Sequence, residues 1–368
     1  MNYLSNFPSH SIRPIFHGKK TTRYRNNIIF TIGYDCFEQL QIGPLQLDQT
    51  VKPVHYNILC SSLALNICEV LHRYLLEVGS IPVYNPSTKA GFWRHIQIRE
   101  NTEGEYLINF RVHNLDYYRE IFENQRYLLV NYLNENSQYQ LKQINYQEII
   151  GKKEPTSTDE IHSYFHKGQL YQNMLDKVFM IHPLCFFQIN YETATYIFQK
   201  VRELVYTEVV NQKNNHHILL DLCCGVGIYS ILLADLFHQV WGIDSNPCNI
   251  RVANEVKYRY YAHSAIEFVT DRVENQLPKI PESNNLTAII NPSRSGIPLK
   301  LTEYLKENLE RFDQIIYVSC NPETLVRDLK ILEIRDYQFL DVIPVNQFPQ
   351  TEELEVIVNI KINGGNQS

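Results

Sequence analysis

Hydrophobic positions change their period partway along the chain. Alternation marks "NNIIFTIGYD" (26–35), "FWRHIQIRE" (92–100) and "GEYLINFRVH" (104–113) as strands, the last two joined by a polar turn at Asn101–Gly104. Between the first two, apolar residues at helical spacing over "YNILCSSLALNICEVLHRYLLEVG" (56–79) predict an amphipathic helix. No βαβ rhythm appears here, so an α+β domain is expected over residues 1–180. The polar stretch "GKKEPTSTDE" (Gly151–Glu160) reads as a loop or hairpin tip.

After "VFMIHPLCFFQIN" (178–190) helices and short apolar strands alternate. Helix "YETATYIFQKVRELVYTEVV" leads to strand "HILLDLCC", helix "IYSILLADLF", strand "QVWGID" and a helix opened by Asn246-Pro247. Strand "TAIINP", helix "KLTEYLKENLERF", strand "IIYVSC" and helix "ETLVRDLKIL" follow, with closing strands near "DVIPV" and "LEVIVNIKI". The expected second domain, residues 181–368, is an α/β doubly wound sheet of Rossmann type. No internal repeat or low-complexity tract interrupts either half.

Composition narrows the classes. The 368 residues are 20% charged and 44% apolar, which fits a globular protein of two domains. No apolar run approaches the roughly 18 residues a membrane helix needs, so no membrane partner is expected. A net charge of −6 leaves RNA binding to a local basic face. Arg13, Lys19, Lys20, Arg23 and Arg25 all precede the first acidic residue, Asp35. That stretch reads either as a cleaved mitochondrial targeting segment or as a folded basic edge, and its run into a strand favours the edge. Eight cysteines with no C-x-x-C pair argue against zinc or an iron–sulfur cluster. Reduced thiols place the chain in the cytoplasm, with the mitochondrial matrix as the alternative. Without an evident exposed heptad, a monomer is the default.

Candidate chemistry gathers at strand ends. "LLDLCCGVGIYS" is a strand, a glycine turn and a helix start, in which Gly225 and Gly227 let the backbone approach a ligand and Asp221 holds either the turn or a cationic group. Asp244 ends the next strand, where an acid binds ribose hydroxyls, although it can also cap the helix before Pro247. The third glycine of a dinucleotide fingerprint is missing at Tyr229-Ser230, so S-adenosylmethionine, which has no phosphate, fits better than NAD. Asn291, Arg294 and Gly296 sit beside the end of another strand. Cys320 lies where "IIYVSC" meets the turn residues Asn321-Pro322, and Glu355 opens a strand with an apolar face of Leu354, Val356, Val358 and Ile360. An acid beside such a core is costly unless paired or used.

Together these segments resemble the RNA 5-methyluridine methyltransferase family, close to its eukaryotic transfer-RNA members. "YRNNIIFTIG" is similar to that family's Y/F-R-N-K-x-x-F, "FFQIN" to F-x-Q-x-N, "DLCCGVG" to its glycine motif, and "NPSRSG" to D-P-P-R-x-G. "YVSCNPETLVRDL" is similar to V-S-C-N-P-x-T-L-x-R-D-L and "FPQTEELE" to F-P-x-T-x-H-x-E. The resemblance implies a class I methyltransferase domain behind an RNA-holding domain. It assigns Cys320 as the nucleophile that adds to uracil carbon 6 and Glu355 as the base that removes the carbon 5 proton. It assigns Gln188, Asp244 and Asn291 to S-adenosylmethionine with Cys223 through Gly227 beneath it, and Arg25, Arg294 and Phe348 to RNA. Phe348 reads either as a stacking face for a uridine turned out of its stem or loop or as a core-packing residue. The missing iron–sulfur cysteines and the lack of an evident small β-barrel before residue 20 favour transfer RNA over ribosomal RNA.

Four positions depart from the family pattern. Asn291 stands for aspartate, Ser293 for the second proline, Glu353 for the histidine two residues before the base, and Asn27 for a lysine. A carboxylate at 353 would raise the pKa of Glu355 if the two come close. Two other classes remain in view. An RNA-folding protein without catalysis would follow if these departures abolish activity. An amino-group methyltransferase is suggested by "NPSR", but Arg294 replaces the aromatic that such a motif needs.

Overall fold

The computed structural model describes residues 2–149, 160–210, 216–280 and 285–362. Of the polar stretch Gly151–Glu160, all but Glu160 lies outside the described residues. The chain forms two compact units, one comprising Thr22–Gln172 with Met180–Tyr191, the other Met1–Thr21, Asn173–Phe179 and Glu192–Ser368. These are not the two continuous segments 1–180 and 181–368. The N-terminal segment joins the later unit because strand β1 (Phe16–His17) pairs in parallel with Val345 and Asn346.

The unit built on Thr22–Gln172 contains β2 (Asn27–Tyr34), β3 (Leu40–Gly43), α1 (Ser62–Glu77), β4 (Trp93–Glu100), β5 (Glu105–Val112), α2 (Leu115–Asn124), α3 (Arg126–Asn136), β6 (Gln140–Glu148) and β7 (His162–His166). Its six strands run in the order β3-β2-β4-β5-β6-β7, all neighbours antiparallel except β5 and β6. Helix α1 begins six residues later than its apolar pattern does. Asn57 Oδ1 accepts from the amides of Leu59 and Cys60, which fixes a turn, and Ser61 Oγ then caps the helix at the Ala64 amide, 3.0 Å. Ile67, Leu71 and Tyr74 of α1 share a core with Phe30, Ile96 and Phe110. Gln97, Asn109 and Gln147 are also buried, and the Asn109 amide donates to both glutamines. Strands β8 (Leu170–Met174) and β9 (Lys177–Ile181) form a two-stranded hairpin.

The later unit continues with α4 (Tyr191–Val210), β10 (Ile218–Leu222), α5 (Ile228–Leu233), β11 (Gln239–Asp244), α6 (Pro247–Tyr260), β12 (Ile266–Thr270), α7 (Val273–Gln276), β13 (Leu286–Ile290), α8 (Leu299–Glu307), β14 (Phe312–Ser319), α9 (Pro322–Ile331), β15 (Phe339–Asn346) and β16 (Glu355–Lys361). The sheet order is β1-β15-β16-β14-β13-β10-β11-β12, with β10 to β14 mutually parallel and β16 antiparallel to both its neighbours. Every residue of β10, β13 and β14 is buried, which explains their continuous apolar runs. This is the expected doubly wound, Rossmann-like domain. Reversal of β16 brings its first residues beside the carboxyl end of β14, at the edge where such sheets bind ligands.

Candidate active site

Strand register creates the central pair. Ser319 of β14 is matched to Val356 of β16, so Cys320 and Glu355 occupy the next facing positions on adjacent strands. Glu355 is 2% exposed. Burial first and the Glu353 carboxylate second push its pKa up to about 8. The proximity effect foreseen for residue 353 is therefore present, although desolvation is the larger cause. Cys320 is half-buried and its thiol is pushed up to about 11, by burial first and then by the charges of Glu355 and Glu353. The Arg294 guanidinium opposes this by favouring the thiolate. The site thus sets a thiol and a carboxyl, each with a raised pKa, side by side in a desolvated corner at the ligand-binding edge of the sheet.

The loops around the pair are tied to one another. Asn321 caps α9 through the Glu323 amide while its side-chain amide donates to the Arg294 carbonyl, 3.0 Å. Asp328 on α9 is fully buried, accepts from the Tyr317 hydroxyl at 2.7 Å and from the Ile297 amide at 2.9 Å, and is paired with Arg327. Gly296 has a φ of +77°, and a Cβ there would come within 2.5 Å of Arg327 and Asp328. Arg294 itself pairs with Glu353, Nη2 to Oε2 2.6 Å. The sequence alone did not reveal this contact, because the two residues meet only through the order of the sheet.

On the other side lie the ends of β10, β11 and β13. Gly225 adopts φ +56° with open space where a side chain would be, and its amide donates to Asp244 Oδ2 at 2.9 Å. Asp244 Oδ1 also accepts from the Asn246 amide, and Asn246 rather than Asp244 caps α6. The Asn291 backbone amide donates to the Leu222 carbonyl at 3.3 Å, which ties the end of β13 to the end of β10. Asp221 takes the first of its two expected roles. It is fully buried, and its Oδ2 accepts from both the amide and the hydroxyl of Ser230, so it holds the turn from behind. Desolvation, with some help from Asp244, pushes its pKa up to about 7. Cys223 is half-buried at φ +64°, and burial pushes its thiol up to about 12.

Cys320, Glu355, Arg294, Phe348, Asn291, Asp244 and the turn from Cys223 to Gly227 thus belong to one unit, with Phe348 half-buried on the loop before β16. Gln188 and Arg25 belong to the other. Gln188 is buried there, its carbonyl accepting from the Asn26 side chain. Arg25 is half-buried, and its Nε has no acceptor among the described residues.

Comparison with known proteins converges on one group. A model of the tRNA (uracil-5-)-methyltransferase family matches residues 113–362. A tRNA (uracil(54)-C(5))-methyltransferase of Pyrococcus horikoshii is 29% identical over 289 residues, covering 78% of this chain. The match spans only 62% of that relative's length. An uncharacterized RNA methyltransferase of Clostridium tetani is 27% identical, with 97% of this chain and 76% of the relative covered. The crystal structure of the Pyrococcus abyssi tRNA (uracil-54, C5)-methyltransferase, determined with S-adenosyl-L-homocysteine, shares the fold at a TM-score of 0.74 and 24% identity, covering 94% of this chain and 78% of its own.

Proposed function

The chain belongs to the tRNA (uracil-5-)-methyltransferase family, and from that premise we propose that it methylates carbon 5 of a uridine in RNA, the T-loop uridine of transfer RNA first among the candidates. The observation that carries this reading is the facing placement of Cys320 and the buried Glu355 at the ends of β14 and β16.

Carbon 5 of uracil is too weak a nucleophile to be methylated directly. Addition of the Cys320 thiolate to carbon 6 forms a carbon–sulfur bond and moves the electron pair of the 5,6 double bond toward carbon 5. Arg294 favours the thiolate needed for this step. S-adenosylmethionine supplies the electrophilic methyl group that carbon 5 then takes. Glu355, ionised, removes the remaining carbon 5 proton, the 5,6 double bond re-forms, and the carbon–sulfur bond breaks to return the thiolate. Burial suits Glu355 to this role, since a carboxylate stripped of water is a stronger base.

The residues fit the methyl donor. Open space over Gly225 admits close approach of a ligand to the backbone, and the Asp244 carboxylate, held at the end of β11, keeps acceptor capacity for ribose hydroxyls. Asn291 replaces a charged contact with an amide at the same strand end. Gln188 and Arg25 are assigned to donor and RNA respectively from the family motif.

The test uses unmodified transfer RNA carrying 5-fluorouridine together with S-adenosylmethionine. Fluorine cannot leave as a cation, so a denaturant-resistant protein–RNA adduct should accumulate and vanish in Cys320→Ala. If RNA and donor bind measurably and no adduct forms, the RNA-folding alternative takes the place of catalysis.

A further inference from the structure

We propose that Glu353 is a positioning residue that holds Arg294 across the mouth of the Cys320–Glu355 site until an RNA phosphate replaces it. This role rests on the methyltransferase reading and specifies how the same site receives its substrate.

Sheet order supplies the geometry. Strand β14 lies between β13 and β16 and runs out at Cys320. Arg294 sits on the loop after β13 and Glu353 on the loop before β16, so their 2.6 Å contact joins the two loops that flank the thiol. The backbone of Arg294 is fixed, its carbonyl accepting from Asn321 Nδ2 at 3.0 Å and Thr324 Oγ1 at 3.4 Å. Its side chain is 68% exposed and that of Glu353 34% exposed. A guanidinium on a fixed base, held by one solvent-facing carboxylate, is suited to exchange, because exposed ion pairs are weak and guanidinium binds phosphate with two donors.

Exchange also changes the field at the reacting groups. Cys320 faces Glu355 from β16, Arg294 from the loop after β13 and Glu353 from the loop before β16. Glu355 faces Glu353 two residues away, and the buried Tyr229 of α5 also feels its charge. With Arg294 turned to a phosphate, the Glu353 carboxylate is left without its counter-charge beside Glu355, which strengthens the base, while Cys320 loses part of the charge that favours its thiolate, so the exchange serves proton removal and not thiolate addition.

The experiment follows alkylation of Cys320 by iodoacetamide, resolved by mass spectrometry across pH, in the full-length protein with neither RNA nor S-adenosylmethionine. Opening the clasp should raise the high-pH plateau rate severalfold in both Glu353→Gln and Arg294→Gln. The midpoint should fall in Glu353→Gln and rise in Arg294→Gln, a split that simple loosening of a loop does not produce. In methylation of an unmodified transfer RNA transcript, Glu353→Gln should lower KM for RNA about two- to five-fold, the range of an exposed ion pair. Unchanged plateau rates in both variants, or a raised KM in Glu353→Gln, would overturn the role. Alkylation needs no substrate, so absence of methyl transfer by the wild-type protein would count against the methyltransferase reading while leaving the clasp to stand or fall on its own data.

Discussion

Glu355 concentrates the tension between stability and chemistry in one carboxyl group. Its folded pKa of about 8 lies above the ordinary value of 4.5, so the native state binds the proton more tightly than the unfolded chain. The associated stability is fully present below 4.5 and is lost as pH rises through 8, on the order of 1.4 kcal/mol for each unit of the rise. Glu355→Gln keeps the shape and removes the titration. It should therefore raise the melting temperature at pH 9 relative to wild type, leave it little changed at pH 5, and abolish release of 5-methyluridine product. A melting temperature that falls equally at both pH values would show that the carboxyl has an unrecognised structural partner. The same ionisation, with that of the Cys320 thiol pushed up to about 11, predicts that methyl transfer by the wild-type protein climbs with pH, more steeply below about 8 and still rising above it, measured as initial rates at saturating RNA.

At the scale of elements, the glycine turn separates packing from ligand access. A Cβ on Gly227 would lie 2.4 Å from the Phe268 ring with φ at +79°, so Gly227→Ala should cost about 1–3 kcal/mol by urea unfolding. Gly225 has open space instead, and Gly225→Ala should cost about 1 kcal/mol for its backbone conformation while weakening S-adenosylhomocysteine binding in calorimetry. If Gly225→Ala binds normally, the space above that residue is not the donor site. These turns were legible in the sequence because punctuation and pattern agreed: helix 191–210 and strand 239–244 match their apolar runs, and Asn246-Pro247 marks the start of α6. Strand β12 was not legible, since its five residues include the exposed Glu267 and Thr270 and carry no apolar run. Nor were α2, α3 and β6. Buried Gln143, Asn145 and Gln147 give β6 polar residues where a half-buried strand is expected to be apolar, and they are accommodated by amide hydrogen bonds that no local pattern announces. Within the site, Cys320 and Glu355 could be picked out as residue types beside apolar strands, whereas the Arg294–Glu353 pair needed the sheet order.

For the whole molecule, the buried titratable groups bracket a pH window of stability. His217, 2% exposed, has neither ring nitrogen partnered among the described residues, and burial lowers its pKa from the ordinary 6.5. Its contribution is present above 6.5 and lost as pH falls through the lower folded value, the opposite sign to Glu355 and Asp221, which weaken the fold as pH rises. Because two carboxyls oppose one imidazole, thermal melts should be highest on the acid side of neutrality and fall as pH rises toward 8, and His217→Leu should flatten the acid limb alone. An unchanged acid limb would assign that loss to exposed carboxylates. The pairing of β1 with β15 has a consequence for synthesis. Phe16 leaves the ribosome about 330 residues before its partner Val345, roughly a quarter of a minute to a minute at ordinary elongation rates. The Thr22–Gln172 stretch is made entirely within that interval, so the segment around Phe16 waits through the synthesis of a whole intervening unit before its partner strand exists, a stretch of chain that chaperones can hold.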